Sequence, residues 1–98
     1  MIAQQNLANS TDVQESLLTF PTSFPMKIMG LATEAFPTTV ATLAKEYFED
    51  FDESTLKVGY SRTGKYMAVS IVVNAQSREQ LDAMYRACTS HPDVKVVL

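Results

Sequence analysis

Apolar and polar positions alternate most sharply between Lys65 and Ala75. Met67, Val69, Ile71 and Val73 fall on one side, and Tyr66, Ala68, Ser70, Val72 and Asn74 on the other. A period of two in a run rich in β-branched residues predicts a strand. Its wholly apolar side must face a core, while its small, mixed side faces water or a partner. Three shorter alternations join it. Phe24 to Met29 reads as a strand with Phe24, Met26 and Ile28 inward and Lys27 and Met29 outward; Pro25 fits only near a strand's start. Leu56 to Ser61 sets Leu56, Val58 and Tyr60 on the core side, and Val94 to Leu98 does the same with Val94, Val96 and Leu98.

Two segments change to a helical period. In residues 36 to 50, Val40, Leu43, Ala44 and Tyr47 recur at i, i+3, i+4 and i+7 and form one apolar stripe. Pro37 suits the first turn of that helix, and Thr33 is a candidate cap. Ser77 to Gln80 has the form of a capping box, with Ser77 bonding the Gln80 N–H and Gln80 reaching back. The helix that follows carries Leu81, Met84, Tyr85 and Cys88 on one face and ends at His91-Pro92. Gly30 punctuates the first strand, and Arg62-Thr63-Gly64 joins the second and third strands as an antiparallel hairpin. The order is β-α-β-β-α-β. Right-handed crossovers then interleave two β-α-β halves into an α+β, ferredoxin-like sandwich. Its four-stranded antiparallel sheet has the order 4-1-3-2, with both helices on one face.

A chain of 98 residues, 46% hydrophobic and 19% charged, supplies one core. The domain is expected over residues 15–98; residues 1–14 are polar, lack periodicity and are expected to be disordered. The single cysteine, Cys88, permits no intrachain disulfide, which fits a reducing compartment. The opening residues lack a basic start followed by an apolar run, and no stretch reaches the roughly 18 apolar residues of a membrane helix. A cytoplasmic protein without membrane contact is expected. The formal net charge of −3 argues against a general nucleic-acid binder.

Three groups of residues resemble a known family. Phe20 to Gly30 (Phe-Pro-Thr-Ser-Phe-Pro-Met-Lys-Ile-Met-Gly) is similar to the opening of the YbeD-like family, small bacterial proteins of unknown function. Ser61 to Tyr66 followed by Val69-Ser70-Ile71 resembles its second signature, and Glu79-Gln80-Leu81 with Tyr85 and Val94 to Leu98 resemble its end. The resemblance runs from about residue 17 to 98. It implies a ferredoxin-like fold akin to regulatory ACT domains, which bind small ligands near the first strand–helix loop, often at a dimer interface. That loop is here Gly30 to Ala35, and it lacks the Asp-x-x-Pro-Gly pattern of amino-acid-binding members.

Recognisable catalytic chemistry is sparse. There is no Cys-x-x-Cys and no glycine-rich phosphate loop, and no Arg precedes Arg62. The aromatic pairs of an RNA-binding sheet are missing, since outward positions of the central strands carry Lys27, Met29, Ala68, Ser70 and Val72. Cys88 lies on an apolar helix face, where a buried, inert thiol is the ordinary outcome, and His91 precedes a proline, where a structural hydrogen bond is. Glu46, Glu49, Asp50, Asp52 and Glu53 crowd the far end of the first helix; an ordinary solvated helix end accounts for them. No metal and no cofactor is expected. Lys27, Lys57 and Lys95 are expected on the outer sheet face with Ser61, Tyr66, Ser70 and Asn74 and without an acidic residue. Arg62 and Lys65 extend that positive edge. Scattered lysines also serve simply to keep an open sheet soluble.

These features predict a non-enzymatic regulatory or binding module, ACT-like, that senses a small ligand or binds a protein partner, with a homodimer as one option. The candidate binding residues are Lys27 and Lys65 for charge, Ser70 for a hydrogen bond, Tyr66 for a flat contact and Gly30 for close backbone approach. RNA binding and a small enzyme are the alternatives.

Overall fold

The computed structural model describes residues 19–98. The segment 1–14 and the adjoining Glu15 to Leu18 lie outside those residues. The elements are β1 (Thr22–Leu31), α1 (Phe36–Tyr47), a 3₁₀ turn (Glu53–Thr55), β2 (Lys57–Tyr60), β3 (Tyr66–Ala75), α2 (Arg78–Ser90) and β4 (Val94–Val97). The sheet order β2-β3-β1-β4, every pair antiparallel, is the expected ferredoxin-like arrangement. β1 and β3 are central and pair over their full ten residues, from Thr22↔Ala75 to Leu31↔Tyr66.

The inward side of each central strand is buried as its alternation requires: Met26 and Ile28 from β1, and Met67, Val69, Ile71, Val73 and Ala75 from β3. The helices close over them with Val40, Ala41 and Ala44 of α1 and Leu81, Met84 and Cys88 of α2. Phe36, Phe48 and Phe51 complete the core. α1 stops at Tyr47 rather than at residue 50. Phe48 turns to an extended conformation (φ −135°, ψ 96°) and is fully buried. Gaining that burial outweighs one more helical turn whose acidic residues would oppose the dipole.

Ser77 caps α2 as the sequence predicts, whereas α1 starts after Ala35 without a side-chain cap and Thr33 holds the turn before it. The Phe36 N–H donates to Thr33 Oγ1 (3.2 Å), and the Gln80 N–H donates to Ser77 Oγ (3.2 Å). The Gln80 side chain reaches back one residue further than a capping box requires: its Oε1 accepts from the Gln76 N–H (2.7 Å). Its Nε2 donates to the Tyr47 carbonyl (2.8 Å), tying the start of α2 to the end of α1.

Two strands depart from expectation. In β4 the register shifts between Met29 and Gly30, so Ile28 pairs with Val97, Met29 with Val96 and Gly30 with Val94. Val94 and Val97 therefore pack on the core, while Val96 and Leu98 face outward and are 46% and 64% exposed. The extra residue of this bulge is Lys95, which lines a small cavity with Leu31, Thr33 and Phe36 instead of joining the outer lysines. In β2, Val58 pairs with buried Val69 and Tyr60 with buried Met67, so both point to the helical side as predicted. They are not buried: Val58 is 40% and Tyr60 67% exposed. A strand's alternation sets its side, but burial also needs a helix above it.

The missing Gly30 side chain explains the close packing beside the bulge. A Cβ there would lie 2.3 Å from the Asp93 carbonyl oxygen and 2.8 Å from the Phe36 ring. Neither the backbone nor a fully buried ring can move away freely. Gly30→Ala is expected to destabilise the fold by about 3 kcal/mol through overpacking, read as a lower urea midpoint with an unchanged slope.

Candidate functional site

The face of the sheet opposite the helices is built by β1 and β3, with β2 and β4 as flanks. Register fixes what stands side by side on it. Ser70 of β3 lies between Lys27 of β1 and Lys57 of β2, since it pairs with both. Leu98 adjoins the other flank of Lys27 through two backbone hydrogen bonds, Lys27 N–H to Leu98 O (3.0 Å) and Leu98 N–H to Lys27 O (2.8 Å). One row across the sheet thus reads Leu98, Lys27, Ser70, Lys57. The next row reads Val96, Met29, Ala68, Gly59. Opposed residues in an antiparallel sheet are close enough for their side chains to act together.

An open depression of about 410 Å³ lies over the lysine row, lined by Pro25, Lys27, Thr55, Lys57, Ser70, Val72 and Leu98 among others. Its lining is mostly apolar, and the polar side chains among the lining residues are those of Lys27, Lys57, Ser70 and Thr55. Neither Lys27 nor Lys57 forms an ion pair among the described residues; the pairs found are Lys45–Glu53 (2.6 Å) and Arg78–Asp82 (3.4 Å). The surrounding face exposes Leu31, Tyr66, Val72, Val96 and Leu98. Two unpaired cations on so apolar a surface can hold an anion whose body is apolar.

The five candidate residues divide. Lys27 and Ser70 meet in the depression, with Lys57 completing the row. Lys65 and Tyr66 stand at the hairpin end, where Lys65 Nζ lies 5.5 Å from the Tyr66 ring centroid and the Ala32 N–H donates to the Lys65 carbonyl (2.9 Å). Gly30 is buried beneath Phe36, so the close backbone approach it permits is made inside the protein. The opposite end of the face is not free of acid. Asn74 Nδ2 donates to Asp50 Oδ2 (3.2 Å), which brings a carboxylate from beyond α1 to the rim. Sequence reasoning missed this contact because it spans 24 residues. Nearby, the Ser54 hydroxyl and N–H both bond Asp52 and hold its carboxyl below the ordinary range.

The first strand–helix loop offers less room. The cavity beside it, lined by Leu31, Thr33, Phe36, Pro92, Asp93 and Lys95, is about 90 Å³. Ligand sites usually reach about 300 Å³ or more. No group of His, Cys, Asp or Glu that could hold a metal occurs among the described residues, and no helix there is long and apolar enough to cross a membrane.

The family profile described as "Protein of unknown function (DUF493)" matches residues 15–98. The UPF0250 protein of Ralstonia nicotianae is 42% identical over 89 residues, 91% of this chain and 92% of that one. The UPF0250 protein of Paraburkholderia phytofirmans is 44% identical over 88 residues, 90% of this chain and 99% of that one. The solution structure of protein HP0495 from H. pylori superposes with a TM-score of 0.66 at 10% identity, covering 90% of this chain and 92% of the other; at that identity it speaks to fold.

The groups with catalytic potential are otherwise engaged. His91 Nδ1 accepts the Asp93 N–H (3.1 Å), the structural bond expected of it. Cys88 is fully buried, and burial pushes its thiol up to about 11. The neighbouring Tyr85 hydroxyl is also raised, by burial first and then by Cys88. In the unfolded chain the thiol ionises near 9. Between pH 9 and about 11 the unfolded state loses a proton that the folded state keeps, so stability falls with rising pH across that window. At pH 8 a thiol reagent is expected to modify the native protein at least about 100-fold more slowly than the urea-unfolded chain, as followed by mass spectrometry. Equal rates would contradict a buried, protonated Cys88.

Proposed function

We propose that this chain, which belongs to the DUF493 family of proteins of unknown function, is a non-enzymatic binding module whose open sheet face receives an acidic partner protein. One observation carries the reading: the row Lys27–Ser70–Lys57, without an ion pair among the described residues and set across three neighbouring strands of a largely apolar face. Protein interfaces have this anatomy, an apolar centre with charges that steer and orient the partner. Lys27 and Lys57 supply charge and Ser70 a hydrogen bond, while Lys65 and Tyr66 extend the contact at the hairpin end. The lone, unpaired cysteine fits work in a reducing cytoplasm. The protein is acidic overall, so a polyanion such as RNA is repelled at long range, and among the described residues Tyr66 is the one aromatic available for base stacking on the face.

The depression favours a second reading, a small anionic ligand sensed in the manner of a regulatory ACT domain. Its volume of about 410 Å³ suits one such molecule.

Native mass spectra of the full chain purified gently from its own cytosol, beside the Lys27→Glu/Lys57→Glu variant, test both. A polypeptide retained by the wild type and lost from the variant supports the first reading; a small molecule with that behaviour supports the second. Reversing both charges is expected to weaken binding at least about tenfold, and raising the salt concentration weakens the wild-type complex as well. A bare wild-type chain, or a bound species retained by the variant, overturns the outer-face assignment.

A further inference from the structure

The two edges of the sheet differ. On β4 the edge is interrupted by the bulge at Met29/Gly30 and carries Lys95. Such breaks keep an edge from pairing with another strand. On β2 the edge is regular, and after Lys57 it carries no charge along Val58, Gly59 and Tyr60. All of its residues are exposed, and two of them are large and apolar.

The hairpin fixes which backbone groups point outward. The Ser61 N–H donates to the Tyr66 carbonyl (2.8 Å), so Ser61 faces β3. Backbone groups alternate along an antiparallel strand. Lys57 and Gly59 therefore also bond toward β3, and the N–H and C=O of Val58 and Tyr60 point to the open edge.

We infer that this edge pairs with β2 of a second copy of the chain, antiparallel, about a two-fold axis at Gly59. That register sets Gly59 opposite Gly59 of the second copy and Val58 opposite its Tyr60. Opposed residues then lie on the same face, as a continuous sheet demands. The free backbone groups of Val58 and Tyr60 bond one another in both symmetric pairs. The two exposed apolar side chains cover each other on the helical side. Lys57 falls opposite Ser61 of the second copy, so no like charges meet. Charge also favours this occupant. Asp52 and Glu53 precede β2, while Arg62 and Lys65 follow it. Antiparallel pairing brings the acidic end of each copy to the basic end of the other, twice. Nothing lies within 4 Å of a Cβ built on Gly59, so the axis is not crowded by the chain's own atoms.

The paired strands are short and the buried area falls below the roughly 1,200 Å² of a standard interface. The dimer is accordingly weak, with a dissociation constant of roughly 100 μM. It shares Lys57 with the outer-face depression but rests on the edge backbone of Val58 and Tyr60, which the depression does not use, so either assignment can fail without the other.

Sedimentation velocity of the full chain from about 10 μM to about 1 mM gives the first reading, with a concentration-dependent dimer expected that weakens with salt. Val58→Pro removes an outward N–H and no bond to β3. It is expected to raise the dissociation constant at least about tenfold while leaving the urea midpoint near that of the wild type. Mild oxidation of Gly59→Cys is expected to link two chains by a disulfide across the axis, much faster than Lys57→Cys, whose thiols the register holds apart. A monomer up to about 1 mM overturns the proposal. So does a dimer that Val58→Pro leaves unchanged and that Gly59→Cys links no faster than Lys57→Cys.

Discussion

Right-handed crossovers, the rule for β-α-β units, put both helices on the same face of a sheet with this strand order. The core and the candidate surface are two results of that one constraint. On the covered face, sixteen buried apolar residues from four elements and the segment after α1 share one cluster. On the other face the described residues place no second layer, and the sheet is left with Leu31, Tyr66, Val72, Val96 and Leu98 exposed. Folding alone gives no reason for these residues to be apolar. An anionic or acidic partner gives one, because it can cover the apolar rows while Lys27 and Lys57 hold its charge.

Charge is segregated on this small acidic protein. Carboxylates gather beyond the end of α1, where Asp52 is engaged by Ser54 and Glu53 by Lys45. The lysines of the row have no such partner among the described residues. An exposed pair such as Lys45–Glu53 contributes only a few tenths of a kcal/mol to stability. The arrangement therefore matters more for what approaches the surface than for how firmly the chain folds. Asp50, held by Asn74 at the rim, bounds the cationic zone at one end, and Lys65 and Tyr66 bound it at the other.

Much of this was legible in the chain. The alternation of Met67 to Val73 located the central strand, and its most apolar character matched its place beside β1. The helical stripes, the Ser77 cap and the sheet order follow from local periodicity and chirality. What failed was non-local. Val94, Val96 and Leu98 alternate as a regular strand, yet past Val94 the bulge sets Val97 inward in place of Val96 and Leu98. Its neighbour Gly30 is packed against Asp93 and Phe36, which no local pattern announces. Val58 and Tyr60 read as core because their side was right, whereas their exposure depends on where the helices lie. At the site, Lys27 and Ser70 were singled out from the sequence. Lys57 was placed on the same face without being ranked, because only register reveals that it flanks Ser70.

The central claim is that the outer face is the working surface. It is tested most directly by lysine reactivity measured in living cells and again on the purified chain, with a small acylating reagent and mass spectrometry. The account predicts that Lys27 and Lys57 are protected in cells relative to the purified protein, while Lys45, on α1 at the opposite side of the sheet, reacts alike in both. Equal reactivity of Lys27 and Lys57 in the two settings would contradict it.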